Sequence, residues 1–182
     1  MSGVKKMIYT ALFIALGVVI PTALHSIPNA GGVFLPMHIP VLLCGLICGF
    51  PYGLVCGIAA PLLSNLLTGM PPAAMLPSML AELAAYGAVS SLLIRVVRTK
   101  NIYANVYAAL TGAMLSGRVL YGVLNALIFR AGNYSARMWA AAAFVTAVPG
   151  IVIQIVLIPA VVFALARAKL ADGAVFRQAA RK

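Results

Sequence analysis

The chain has 182 residues, of which 64% are hydrophobic and only 8% charged, with a formal net charge of +11. A water-soluble domain carries about 25% charged residues, so a chain this apolar needs lipid around much of its surface. The positive charge does not mark a nucleic-acid binder, because the Lys and Arg residues gather at the ends of apolar segments and build no basic face interleaved with aromatic rings.

At ~20 residues per crossing, the length suits about six spans. The first is expected at about residues 7–25. Lys5 and Lys6 precede it, but no small-residue cleavage site follows a short apolar core, so it reads as a span and not as a removable leader. A loop over 26–37 follows, rich in Pro28, Gly31, Gly32 and Pro36. The second span, about 39–50, is short and ends at the corner Phe50-Pro51-Tyr52. The third, about 52–68, is stopped by Gly69-Met70-Pro71-Pro72, since a proline pair lacks the donors to continue a helix. Spans at about 74–97, 102–129 and 137–165 complete the series, and a basic tail closes the chain. The expected fold is an all-α membrane protein, a bundle of six transmembrane helices forming a single domain over 1–182.

Lys and Arg counts beside the spans set the expected orientation. With both termini cytoplasmic, the inner set is Lys5, Lys6, Arg95, Arg98, Lys100, Arg167, Lys169, Arg177, Arg181 and Lys182, against Arg130 and Arg137 outside. The loops 26–38 and 69–73 then face outward and carry neither Lys nor Arg.

Small residues indicate how the spans meet. Gly45 and Gly49, then Gly53 and Gly57, form two pairs with the four-residue spacing that lets helix backbones approach closely in lipid. Ordinary packing within the chain accounts for them. Ala11 and Ala15 in the first span are also four apart.

The chemistry available is sparse. Glu82 and Asp172 are the only acids, and Asp172 lies in the tail. One intramembrane carboxylate cannot assemble the acidic clusters that hold Mg²⁺ or an aspartyl pair, and neither HExxH nor GxSxG occurs. No set of nucleophile, base and orienting group can be built, so no enzyme and no cofactor is expected. Cys44, Cys48 and Cys56 read as small buried hydrophobes, because a zinc site would need further ligands nearby.

Glu82 and Arg118 are the ionisable residues expected within the bilayer, where each must face the bundle interior or a water-filled cavity. They can form a structural ion pair or line a ligand pocket. Ser78, Glu82 and Tyr86 share one side of their helix, as do Arg118, Tyr121 and Asn125. Ser64, Asn65 and Thr68 end the third span, and Gln154 lies in the sixth. Exposing such groups to lipid is costly, so these faces should converge on an outward-opening pocket for a small polar molecule. His25 and His38 flank the outer loop, where His38 could touch a ligand, and Trp139 reads as an interfacial aromatic.

The run Phe34-Leu-Pro-Met-His-Ile-Pro-Val-Leu42, the glycine-rich second and third spans, and Pro61-Leu-Leu-Ser-Asn-Leu-Leu-Thr-Gly-Met-Pro-Pro72 form an ordered set. Glu82 with Tyr86-Gly87, and Gly117-Arg118-Val-Leu-Tyr121-Gly122, complete it. In order and spacing the chain resembles the S-components of energy-coupling-factor (ECF) transporters over roughly residues 5–168. That resemblance implies a six-helix bundle in the bacterial cytoplasmic membrane that captures one vitamin near the outer side, with the loop after the first span as a lid. It also implies docking on a transmembrane scaffold subunit and two ATPase subunits, with Ala11 and Ala15 matching the family's Ala-x-x-x-Ala contact to the scaffold. The absence of GxxxxGK[ST] agrees that any ATP-driven step belongs to another subunit. Arg118 suits a carboxylate or phosphate, and the pattern looks more like the pantothenate-type members than the thiamin or biotin types, with cobalamin, a pyridoxine-like compound and a queuosine precursor as open alternatives. The substrate-binding residues expected on these grounds are Glu82, Arg118, Tyr86, Tyr121, Asn125, Asn65 and His38. The alternative is an autonomous secondary transporter or channel for a small polar solute.

Overall fold

Lipid offers a backbone no hydrogen-bond partner, so each apolar run must pair its own N–H and C=O groups, as a helix does. The computed structural model describes residues 2–129, 132 and 134–168, and these are helical with no strand among them. Arg130, Lys169, Asp172, Arg177, Arg181 and Lys182, used above in weighing charge, lie outside the described residues. The helices are α1 (Gly3–Ala23), α2 (Ala30–Phe34), α3 (His38–Cys48), α4 (Tyr52–Thr68), α5 (Leu76–Val96), α6 (Ile102–Leu124), α7 (Ala136–Ala140) and α8 (Val148–Arg167). Among the described residues, five stretches are long and apolar enough to cross a membrane: α1, the α2–α3 stretch Ala30–Cys48, α5, α6 with its extension to Phe129, and α8. α4 is apolar but shorter.

Contacts between residues distant in sequence give the helix directions. His38 meets Glu82 while Gly45 lies against Gly87 and Ser90, so α3 and α5 run parallel. Gly53 abuts Gly87 and Gly57 abuts Leu83, so α4 runs opposite to both. Arg118 near Glu82 and Gly112 beside Leu93 make α6 antiparallel to α5. The Tyr103 and Phe163 rings pack at a tilt with centroids 4.4 Å apart, joining the start of α6 to the end of α8. Lys6 sits 5.5 Å from the Tyr52 ring, and Arg95 donates to the Phe50 carbonyl at 3.5 Å. Lys5, Lys6, Arg95 and Arg98 therefore gather at one end of the bundle. His38, Glu82 and Arg118 lie toward the other.

α3 is the central helix. It is buried along nearly its whole length and packs on α1, α4, α5 and α8. The glycine pairs are consumed inside the chain, as ordinary packing requires. A Cβ at Gly53 would strike the Gly87 carbonyl, and one at Gly57 the Leu83 carbonyl, so α4 and α5 touch backbone to backbone. Gly49 does something else: with φ +80 it ends α3, in a conformation that side chains disfavour.

Several boundaries differ from the sequence expectation. α1 begins at Gly3 and not Met7, because the Ser2 hydroxyl accepts from the Lys5 amide at 3.4 Å and caps the helix there. The loop 26–37 contains α2, flanked by the left-handed residues Asn29 and Leu35. α2 lies against α8, where a Cβ at Gly150 would come within 2.8 Å of the Phe34 main chain. Leu35 and Met37 are buried, so this segment is packed onto the bundle end. The segment expected as one span over 137–165 is broken. α7 is followed by a π-helical stretch over Ala141–Thr146 and a turn at Ala147, and only then does α8 begin. Pro149 accounts for the restart, since its missing N–H is harmless in a first helical turn but would interrupt a continuous helix. A second π-helical stretch, Asn125–Phe129, extends α6.

Candidate functional site

α5 presents Ser78, Glu82 and Tyr86 on its buried side, as the four-residue spacing requires. α6 brings Arg118 to the same level, and the first residue of α3 brings His38. Glu82, Arg118, His38 and Tyr86 are 4%, 8%, 3% and 0% exposed, so the chain's two intramembrane charges meet away from lipid. Glu82 Oε1 lies 3.7 Å from Arg118 Nε and 3.7 Å from His38 Nε2. Both separations exceed the ~2.7–2.9 Å of a charge-assisted hydrogen bond, so the groups attract without closing on one another. The Tyr86 ring meets the His38 ring edge-on, with centroids 5.1 Å apart and planes at 65°.

Gly117 makes this arrangement possible. A Cβ there would overlap the Tyr86 ring and come within 3.0 Å of the Glu82 carbonyl. At the next residue, Trp139 of α7 donates its indole N–H to the Arg118 carbonyl at 2.9 Å. The half-buried Trp139 thus holds α7 to the Arg118 turn of α6, a role beyond the interfacial one expected of it.

The cluster holds an unusual number of buried polar atoms without a hydrogen-bond partner: both ring nitrogens of His38, Glu82 Oε1, the Tyr86 hydroxyl, and Nε and Nη2 of Arg118. An unsatisfied buried group costs about 1–3 kcal/mol, and native proteins keep few of them. Together they present two cationic N–H donors, a carboxylate acceptor, an imidazole and a hydroxyl.

The other residues singled out from sequence make the following contacts. Asn65 is half-buried and donates to the Pro71 carbonyl at 2.7 Å, pinning the turn after α4. Asn125 is buried but donates to the Tyr121 carbonyl at 2.8 Å, one turn back on its own helix. Tyr121 is half-buried. Ala11 and Ala15 are exposed on the side of α1 opposite Phe13 and Gly17. Two further buried groups make no hydrogen bond, Ser64 in α4 and the Gln154 amide in α8. Their only signal in the sequence is a polar residue inside an apolar run.

Residues 5–171 match the family model described as ECF transporter, substrate-specific component. Neither a curated protein nor a solved structure matches the chain significantly.

Proposed function

Because the chain belongs to the substrate-specific components of ECF transporters, we propose that the buried cluster of His38, Glu82, Tyr86 and Arg118 is where it captures its substrate. Family membership makes it the substrate-specific subunit of a transporter and not an enzyme, working with an ECF module of scaffold and ATPase subunits. The observation that carries the proposal is the set of unsatisfied polar atoms on those four side chains. Polar groups that a folded chain leaves unpaired in an apolar interior need a reason, and a ligand supplies one.

In this reading the chain is one domain of six spans in the bacterial plasma membrane, with α4 as the short sixth span and both termini cytoplasmic. The end bearing His38, Glu82 and Arg118 then faces outward. α2 and its flanking turns, packed over that end, are the lid that must move for a ligand to reach the cluster. Ala11 and Ala15, exposed on α1, are the contact to the scaffold. The substrate is a small water-soluble vitamin, with pantothenate favoured. Its carboxylate suits Arg118 Nε and Nη2, and its hydroxyls suit Glu82 and His38.

Calorimetric titration of the purified protein with a vitamin panel, beside Arg118→Ala, tests this. Tight binding of one compound that the substitution abolishes is the expected result. Binding unaffected by Arg118→Ala would remove the cluster from the site. Binding of an uncharged vitamin in place of pantothenate would overturn the substrate assignment.

A further inference from the structure

Glu82 Oε1 is shared between two partners at 3.7 Å, the guanidinium of Arg118 and the imidazole of His38. Arg118 is permanently charged, whereas the charge of His38 depends on a proton. With His38 neutral, the formal charges of the cluster cancel. An anion arriving at Arg118 Nε and Nη2 would place two negative groups beside one positive group. In a buried setting an uncompensated charge is costly. His38 is positioned to relieve it, since it already faces Glu82 and its ring nitrogens have no other hydrogen-bond partner.

Among the described residues, Glu82 itself is the other base within reach of the anion. Tyr86 supplies a ring edge and a hydroxyl beside Glu82 and Arg118. Of the other helices packed on α3, α4 contains no acidic or basic residue. The charges of α1 (Lys5 and Lys6) and of α8 (Arg167) lie at the opposite end of those helices.

We propose that His38 is the charge-compensating residue of the site. A monoanionic substrate takes over Arg118, Glu82 turns to His38, and about one proton is taken up from solvent onto the imidazole as the anion binds. No bond of the substrate is made or broken. His38 thereby sets the charge preference of the site: a neutral ligand leaves the Glu82–Arg118 pair intact and recruits no proton. This inference rests on the cluster being the substrate site and on the substrate being an anion.

The test is calorimetry of the full-length protein with pantothenate from about pH 6 to about pH 9, spanning the range in which imidazole ordinarily titrates. Each pH is measured in two buffers of different ionisation enthalpy. In the wild type, the heats should differ between buffers in proportion to about one proton, and affinity should fall by up to about tenfold per pH unit as pH rises. His38→Asn should bind more weakly at low pH, with no buffer-dependent heat and a flat profile. Proton uptake that persists in His38→Asn would place the proton on Glu82 and overturn the role of His38. Glu82→Gln removes the charge the anion would double, so it should bind without proton uptake even if His38→Asn fails to fold. Pantothenate binding without proton uptake in the wild type would overturn the inference while leaving the capture site standing. No binding at any pH would overturn the anionic-substrate reading and this inference together.

Discussion

Arg118→Met and Glu82→Gln, made singly and together, measure whether the two intramembrane charges depend on each other. Opposite unit charges 3.7 Å apart attract by about 4–5 kcal/mol at an effective dielectric of about 20. Each was desolvated to reach that position, so little of this need appear as net stability. Removing one partner is different, because the remaining charge stays buried without compensation, a loss of about 3–5 kcal/mol. Arg118→Met leaves Glu82 with His38 alone, and Glu82→Gln leaves Arg118 with no anion. The double variant replaces both charges with neutral side chains of similar size, so it should be no less stable than the weaker single variant. The expected coupling energy is about 2–4 kcal/mol. The assay is reversible loss of helix, followed by circular dichroism, as micelles of a mild detergent are titrated with a denaturing one. Losses that add to within about 0.5 kcal/mol would refute the reasoning, since the two charges could not then meet in the folded protein.

The backbone contact between α4 and α5 predicts that Gly87→Val lowers stability in the same assay by at least the ~1–3 kcal/mol of an overpacked core, because the obstacle is the Gly53 carbonyl and not a flexible side chain. Gly31→Ala, with open space around it, should stay within about 0.5 kcal/mol of wild type; equal losses in the two variants would disprove the glycine argument. Trp139 is the only tryptophan and bonds to the Arg118 carbonyl, so its fluorescence should shift when a ligand engages Arg118, and an unchanged spectrum at saturation would separate the two. Ala11→Leu with Ala15→Leu should leave ligand binding by the isolated chain unchanged, since both positions are exposed, yet abolish uptake in vesicles carrying the complete transporter. Normal uptake would remove α1 from the docking surface.

Much of this molecule was legible without coordinates. The apolar runs and the shortage of charge pointed to a helical membrane protein, because runs of about 20 apolar residues suit helices that pair their own backbone groups in lipid, whereas barrel strands alternate polar with apolar. Helical periodicity placed Ser78, Glu82 and Tyr86 on one buried side, and the cost of an intramembrane charge turned Glu82 and Arg118 toward the bundle interior, as an ion pair or as pocket lining; their 3.7 Å separation belongs to the fold. Periodicity assigns a residue to a side of its own helix, however, and says nothing of that helix's rotation or depth against its neighbours. Those were decided by where side chains are small enough for close approach, at Gly53 against Gly87 and at Gly117 beneath Tyr86. As a result His38, 44 positions before Glu82 in the chain, joins the cluster. Asn65 and Asn125, equally polar, spend their amides on carbonyls of a nearby turn and of their own helix. The break at Ala147 was passed over in an apolar run because hydropathy measures affinity for lipid and takes no account of Pro149, the residue that restarts the helix. The sequence by itself determined the solvent, the helices and the charges that had to turn away from lipid, while tertiary packing alone decided which of them met and which polar groups were left facing one another without partners.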